Sequence, residues 1–396
     1  MKLSQKIQDC ALSPIRKFYP YALAARERGI TIHALNIGQP DIQTPPAYFD
    51  AIANFRRDVL DYAPSPGMPE LLSAVQAYYL RLGVRFDTDD ILITTGGSEA
   101  LLMAMLCILD PDDEVIVPEP FYPNYSTFIR MAGGVIRPVP TAPETGYRFA
   151  TREQIEPLIG AKTRAILVTS PGNPTGTVLS RQELRLLADI ARERGLYLIC
   201  DEVYREFIYD GAALTTAARF EDIAENLILI DSVSKRFSAC GARIGALVSR
   251  NRALMEGAVK IAQARLSVAT LDQIGAAALY RVDPSYFDAT RREYEHRRDV
   301  CYRKLLEIPG VVTNEPKGAF YTMAKLPVDD AEKFQMFLLT EFEDDHETVM
   351  FAPGSGFYAT EGAGKNEIRI AYVRCAQELE RALDLLRMAI ERYREK

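Results

Sequence analysis

Ala165-Ile-Leu-Val-Thr169, Leu196-Tyr-Leu-Ile-Cys200 and Leu227-Ile-Leu-Ile230 are short apolar runs separated by helical patterns. Runs that stay apolar almost without alternation suit strands covered on both faces, as in a parallel sheet. Working outward, Ile91-Leu-Ile-Thr-Thr95, Glu114-Val-Ile-Val117, Val135-Ile136 and Ala246-Leu-Val-Ser249 continue the series. The segments between them carry helix signals. Ser180-Arg-Gln-Glu183 reads as a capping box, hydroxyl and carboxylate satisfying first-turn amides reciprocally, and that helix runs to Gly195. Thr151 and Gln154 offer the same arrangement one unit earlier, and Ser98 opens an apolar helical stretch through Leu109. The expectation is an α/β domain whose mainly parallel, seven-stranded sheet is covered by helices.

Beyond Ser249 the pattern changes. Glu293 to Leu306 reads as a charged helix, Gly318 to Met323 as a strand and Ala331 to Phe342 as a helix. Ile368 to Tyr372 reads as a strand, and Gln377 to Tyr393 as a closing amphipathic helix. This mixture predicts a smaller α+β domain joined by the N-terminal segment. The division expected is 46–284 for the large domain, with 1–45 and 285–396 for the small one.

Composition narrows the function. The chain has 396 residues, 48% of them hydrophobic and 26% charged, which is ordinary for a globular protein. Its 47 basic and 54 acidic residues give a net charge of −7, which argues against coating nucleic acid. Six cysteines without a C-x-x-C pair and three scattered histidines predict reduced thiols and no metal site. The start shows no continuous apolar signal region, and no run approaches the roughly 18 residues of a membrane helix. The expectation is a soluble cytoplasmic protein.

In open α/β sheets ligands bind beyond the carboxyl ends of the strands, and four such ends carry polar clusters. After Ile230 comes Asp231-Ser-Val-Ser-Lys235, with Arg243 eight residues further on (243 − 235). A desolvated lysine is a nucleophile toward an aldehyde, while Ser232 and Arg243 suit an anionic phosphate. A lone lysine here would more often be a surface turn residue. After the preceding strand, which ends at Cys200, stand Asp201 and Tyr204. A carboxylate there can hold a pyridine nitrogen protonated, although alone it reads as a helix N-cap. Ser170-Pro-Gly-Asn173-Pro-Thr-Gly176 is a rigid loop presenting Asn173, which turn chemistry alone would also explain. Gly96-Gly97-Ser98 sits where a helix N-terminus would receive a phosphate, a weak signal by itself.

These four segments, in this order, resemble the class I aminotransferases of the aspartate aminotransferase family, pyridoxal-phosphate fold type I. The likeness extends over essentially the whole chain, including Asn36-Ile-Gly38-Gln-Pro-Asp41, Tyr62-Ala-Pro-Ser-Pro-Gly67, Pro316-Lys-Gly-Ala-Phe-Tyr321 and Ile368-Arg369-Ile-Ala371. The resemblance implies pyridoxal 5'-phosphate as cofactor. It makes Lys235 the Schiff-base lysine and proton shuttle, Asp201 the partner of the pyridine nitrogen, and Tyr204 and Asn173 the partners of the ring oxygen. It gives Ser232, Arg243, Gly97 and Ser98 the phosphate, and Tyr122 the face of the ring, where many members have tryptophan. Arg369 matches the arginine that forks the substrate α-carboxylate, with Gly38 offering backbone contact nearby. Tyr62 resembles a tyrosine that reaches the neighbouring subunit's phosphate, which implies a homodimer with shared sites.

The implied reaction is amino-group transfer between an L-amino acid and a 2-oxo acid, with aspartate and 2-oxoglutarate the leading pair. One departure stands out. In the bacterial subgroup most like this chain, a lysine after the glycine pair reads the distal carboxylate, and here that residue is Ser98. Arg265, in a segment the family folds toward the partner's site, is the candidate substitute, with Arg16 and Lys17 as alternatives. Aromatic, alanine-type or methionine-type transamination, and a β-lyase or synthase on the same fold, are the rival readings.

Overall fold

The structure, a computed structural model, describes residues 1–212 and 215–395. Strand β1 (Thr31–Ala34) lies near the N-terminus, apart from the main sheet. The seven apolar runs form β2 (Ile91–Thr94), β3 (Glu114–Pro118), β4 (Val135–Val139), β5 (Thr163–Thr169), β6 (Tyr197–Asp201), β7 (Leu227–Ser232) and β8 (Gly245–Val248). They build one seven-stranded sheet in the order β2-β8-β7-β6-β5-β3-β4. Strand β8 runs antiparallel to both neighbours, and every other pairing is parallel.

Alternation along each strand sends successive residues into two different cores. Leu198, Cys200 and Leu229 face the core that holds Tyr78, Tyr79 and the helix Arg181–Arg194. Ile199, Ile228 and Ile230 face the core that holds the helices Gly96–Ile108 and Arg252–Arg265. Both faces are therefore dry, and that is why the strands read as continuous apolar runs.

The capping box is present: the Ser180 hydroxyl accepts from the Glu183 amide, and the Glu183 carboxylate accepts from the Ser180 amide. Thr151 also caps, accepting from the Gln154 amide at 3.3 Å, but its helix is a single turn, Arg152–Ile155. Three boundaries differ from expectation. The helix after β2 begins at Gly96, two residues before Ser98, because the glycine pair itself winds into the first turn with Gly96 at φ +75°. The charged helix begins at Ser285, where the Asp283 carboxylate accepts from the Ser285 amide at 2.9 Å. The strand expected from Gly318 starts only at Tyr321, since Gly318 bridges to Ile208 and Ala319 turns at φ +57°.

A third core lies between β9 (Val312–Thr313), β10 (Tyr321–Lys325), β11 (Glu347–Met350), β12 (Ala352–Pro353), β13 (Glu367–Ala371) and the helix Ala376–Arg394. Strands β12-β13-β10-β9 form an antiparallel sheet, and β11 pairs in parallel with β1. Tyr204, Phe207 and Tyr209, which follow β6 of the main sheet, are buried in this third core and join it to that sheet. The N-terminal segment crosses between them as well. Arg130 donates to the Asp9 carbonyl at 3.1 Å, while Lys17 pairs with Glu332 at 2.5 Å. No described helix is long and apolar enough to cross a membrane.

Candidate active site

The carboxyl ends of β5, β6 and β7 open into a cavity of about 520 Å³, a volume suited to a small-molecule ligand. Its lining brings together Gly38, Gly97, Ser98, Tyr122, Asn173, Asp201, Tyr204, Ser232, Lys235, Arg243 and Arg369. With Arg16, which also lines it, twelve residues singled out from sequence thus converge on one space from segments more than 300 residues apart (369 − 38). Tyr62 and Arg265 lie outside it. Tyr62 is 80% exposed. Arg265 is half-buried, donates to the carbonyls of Ser65 and Ile93, and lies 3.5 Å from Glu99.

Lys235 sits in a one-turn helix, Val233–Arg236, that starts where β7 ends, with Ser232 as its cap. Its ammonium donates to the Gly38 carbonyl at 2.7 Å. Gly38 has to be glycine for that approach, because a Cβ there would lie 1.8 Å from the Tyr321 hydroxyl oxygen. Asp201 is the last residue of β6 and is buried. It accepts from the Tyr125 hydroxyl at 2.7 Å and the Val203 amide at 3.3 Å. Burial nevertheless pushes its carboxyl up to about 6. An acid raised in this way favours the fold below its unfolded value of 3.8, and that contribution is lost as pH rises through 6. Holding Asp201 charged at neutral pH therefore has a cost, which a cation placed against it removes.

Arg369, in β13, is 2% exposed and pairs with no carboxylate among the described residues. Its guanidinium donates to Asn173 Oδ1 at 3.0 Å and to the Asn36 carbonyl at 2.5 Å, while Nε is buried without a partner. The rings of Tyr321 and Phe357 lie 4.6 and 5.0 Å from it. Burial lowers its pKa, but arginine starts so high that the group stays charged. Arg243 stands over the first turn of the helix Gly96–Ile108, where its Nη2 would lie 2.3 Å from a Cβ on Gly96. First-turn amides point out of a helix unpaired. Arg243 and the amides of Gly97 and Ser98 thus form one anion-binding corner, with Ser232 and Ser234 beside it.

The tyrosines complete the walls. Tyr204 and Tyr321 share a hydrogen bond of 2.9 Å, and burial raises Tyr204 well above its usual range. Tyr122 packs edge-on against Tyr125 at 5.5 Å and is pushed up to about 12 by burial. Sequence reasoning gave no role to Tyr125, Tyr321 or Ser234. Tyr321 stands in a quoted motif and Ser234 one residue from Lys235, so proximity was a usable signal. Nothing marked Tyr125, because its contact with Asp201 spans 76 residues.

Taken together, Arg16, Lys235, Arg243 and Arg369 face Asp201, the one carboxylate among the described lining residues. A ligand for this space carries more than one negative group, an amine-reactive carbon and a cationic nitrogen for Asp201. Pyridoxal phosphate together with an amino acid fits that donor set: phosphate for the Arg243 corner, pyridinium for the costly Asp201 anion, carboxylate for the unpartnered Arg369.

The family model described as aminotransferase class I and II matches residues 31–386. The chain is 30% identical to an aspartate aminotransferase of Bacillus subtilis, across 99% of this chain and 100% of that protein. It is 31% identical to aromatic-amino-acid aminotransferase 2 of Thermococcus litoralis, across 99% of each. Among solved structures, aspartate aminotransferase from Thermus thermophilus with maleate aligns at a TM-score of 0.88 and 28% identity, covering 98% of this chain and 100% of that one.

Proposed function

The chain belongs to the class I and II aminotransferases and is a transaminase, and from that premise we propose that it moves the α-amino group of aspartate to 2-oxoglutarate with pyridoxal 5'-phosphate held on Lys235. The observation that carries this reading is Arg369, a buried cation without a counter-ion in the cavity that holds the Lys235 amine. Pyridoxal phosphate, when bound, supplies an electron sink for the pair left behind as the substrate Cα loses its proton.

The chain's own residues do the rest. Arg369 forks the α-carboxylate and, with the Gly38 backbone, orients the substrate so that its Cα faces Lys235. The Lys235 Nζ would take the proton from the substrate Cα and deliver that proton to the carbon on the other side of the transferred nitrogen, acting as general base and then general acid. Asp201, tied down by Tyr125, would hold the ring nitrogen protonated. Tyr204 and Asn173 would hold the ring oxygen, and Tyr122 would offer it an apolar wall. Gly97, Ser98, Ser232 and Arg243 anchor the phosphate. Residues 46–284 form the cofactor-holding domain in this reading, and 1–45 with 285–396 the domain that brings Arg369.

The site is shared by two copies in this proposal. Val59, Leu60 and Tyr62 are 64%, 61% and 80% exposed in the single chain, an apolar edge suited to burial against a second copy, with Tyr62 reaching the partner's phosphate. Arg265 would serve the partner's substrate in the same way. All six cysteines are unpaired, which suits the reducing cytoplasm.

For the distal carboxylate the cavity offers Arg16, which lines it without an ion pair among the described residues, whereas Lys17 is occupied by Glu332. Arg16→Ala should lower kcat/KM for aspartate and glutamate roughly 10- to 100-fold while changing phenylalanine and alanine less than about threefold. Equal losses across all four amino acids would remove Arg16 from side-chain reading. Ile15, Ile37 and Leu101 line the same cavity and favour a second reading, aromatic substrates.

The deciding experiment is a half-reaction screen. The protein is loaded with pyridoxal 5'-phosphate, each of the twenty amino acids is added separately, and pyridoxamine phosphate and keto acid are quantified. Fast conversion by aspartate and glutamate supports the proposal. Conversion mainly by aromatic amino acids replaces the substrate, and none at all with cofactor bound refutes transfer in favour of lyase or synthase chemistry.

A further inference from the structure

Behind the cavity, the same two strand ends carry a second constellation that amino-group transfer leaves unused. Neighbouring residues on a strand point to opposite faces. Asp201 and Ser232 line the cavity, while Glu202 and Asp231 turn away from it. Arg205 and Arg236, next to Tyr204 and Lys235, do the same. Their side chains are sealed from water: 4% exposed for Glu202, 1% for Arg205, and 0% for Asp231 and Arg236.

The four groups form one connected, charge-balanced cluster. Arg205 Nε donates to Glu202 Oε2 at 2.8 Å, and Nη1 lies 3.4 Å from Asp231 Oδ2. Asp231 also accepts the Tyr79 hydroxyl at 3.0 Å and the Ser232 amide at 2.7 Å, and it pairs with Arg236. The Arg236 guanidinium lies 4.5 Å from the centre of the Tyr78 ring. Glu202 Oε1 accepts from the Thr216 hydroxyl at 3.0 Å and the Ala217 amide at 3.2 Å. Taking four ions out of water costs several kcal/mol each before pairing, and apolar side chains of similar volume commonly stabilise a fold as well or better. Stability is thus a poor reason to keep them. What apolar packing lacks is direction, which the hydrogen bonds of Arg205 to Glu202 and of Tyr79 and the Ser232 amide to Asp231 supply.

We propose that Glu202, Arg205, Asp231 and Arg236 are positioning residues that fix Lys235 relative to Asp201 and set the field at the lysine. The inference rests on the transfer roles given to those two residues. Asp231 and Arg236 clamp both ends of the turn that carries Lys235. Glu202 and Arg205 clamp the turn that carries Asp201 and Tyr204. The Arg205–Asp231 contact ties the halves together. Toward the lysine the cavity presents Asp201, Tyr204, Tyr321, Arg243 and Arg369. Around the cluster stand Tyr78, Tyr79, Tyr280 and Glu206, the last accepting from Tyr78. With all four charges present the cluster adds no net charge behind the amine.

The test uses the full chain loaded with pyridoxal 5'-phosphate and three variants: Arg236→Met, Asp231→Leu with Arg236→Met, and Arg236→Lys. Each is measured for melting temperature, kcat, KM and the pH midpoint of the bound cofactor's visible absorbance. Arg236→Met leaves Asp231 with Arg205 as its one remaining cation, 3.4 Å away, and the cluster with one excess negative charge, which favours a protonated nitrogen at Lys235. Its midpoint should rise by roughly one pH unit, with a lower melting temperature. The double variant removes both charges, so it should melt at or above the wild-type temperature yet turn over about tenfold more slowly, with KM within about twofold. Arg236→Lys keeps the charge, and its midpoint should stay within a few tenths of a pH unit of wild type. A double variant with wild-type turnover and midpoint overturns the proposal, because the cluster is then structural only. If Arg236→Met does not fold, the other two variants decide by the same criteria. If the wild type transfers no amino group, the function reading fails on its own, while the midpoints still read the cluster's effect on Lys235.

Discussion

Lys235→Ala should lower amino-group transfer by at least roughly 10⁴-fold for every amino acid, because it removes both the nucleophile and the general base. No neighbour can take over the proton. Arg369, although lowered by burial, stays charged at any working pH. Burial pushes Tyr122 up to about 12 and Tyr204 well above its usual range, so both remain protonated phenols. Asp201 is buried and already engaged by Tyr125. Folding should hardly change, since the Lys235 side chain makes one hydrogen bond, to the Gly38 carbonyl at 2.7 Å, a contact of about 1 kcal/mol. The variant should also still bind pyridoxal 5'-phosphate reversibly, through the Arg243 corner and Asp201, but without the absorbance of the lysine-bound form. Turnover, visible spectra and melting temperature measured on the same preparation check all three expectations. Wild-type turnover in this variant would move the chemistry to a different residue.

The main sheet was legible because both of its faces are dry. Ile166, Leu198 and Leu229 enter one core, and Leu167, Ile199 and Ile230 the other, so each run reads as apolar throughout. Residues at strand ends were legible for a related reason. A charged residue directly after an apolar run, such as Asp201 after Cys200, stands where ligands bind in an open α/β sheet, although only its neighbours along the chain separate that role from a helix cap. Long-range contacts were not legible. Nothing local to Tyr125 shows that its hydroxyl meets Asp201 76 residues away, and of the alternatives Arg16 and Lys17 only the structure shows that Arg16 lines the cavity. The buried cluster behind the site was hidden differently: its four members sit beside residues already singled out, and only the alternation of faces separates the two sets.

Arg369→Ala is expected to raise KM for every α-amino acid and to lower kcat/KM by about 100- to 1000-fold, in line with the loss of a buried, forked charge pair. The geometry predicts an unusual companion effect on stability. Arg369 is 2% exposed, has no carboxylate partner, and leaves Nε without a hydrogen bond. In the substrate-free protein it is a buried, uncompensated charge, the arrangement that costs a fold most. Its donors to Asn173 and the Asn36 carbonyl recover only part of that cost. The variant should therefore melt no lower than wild type without substrate, despite the space it leaves between the Tyr321 and Phe357 rings. An unreactive dicarboxylate should raise the melting temperature of the wild type and have little effect on the variant, by mass action on the folded state. Arg369→Lys should fall between the two in kcat/KM, since one ammonium restores the charge but not the fork. Half-saturation and turnover unchanged across an amino-acid panel would refute the carboxylate role. A drop of several degrees in the substrate-free variant would show instead that the arginine is held for packing, with its charge paid for by the two aromatic rings and the backbone around it.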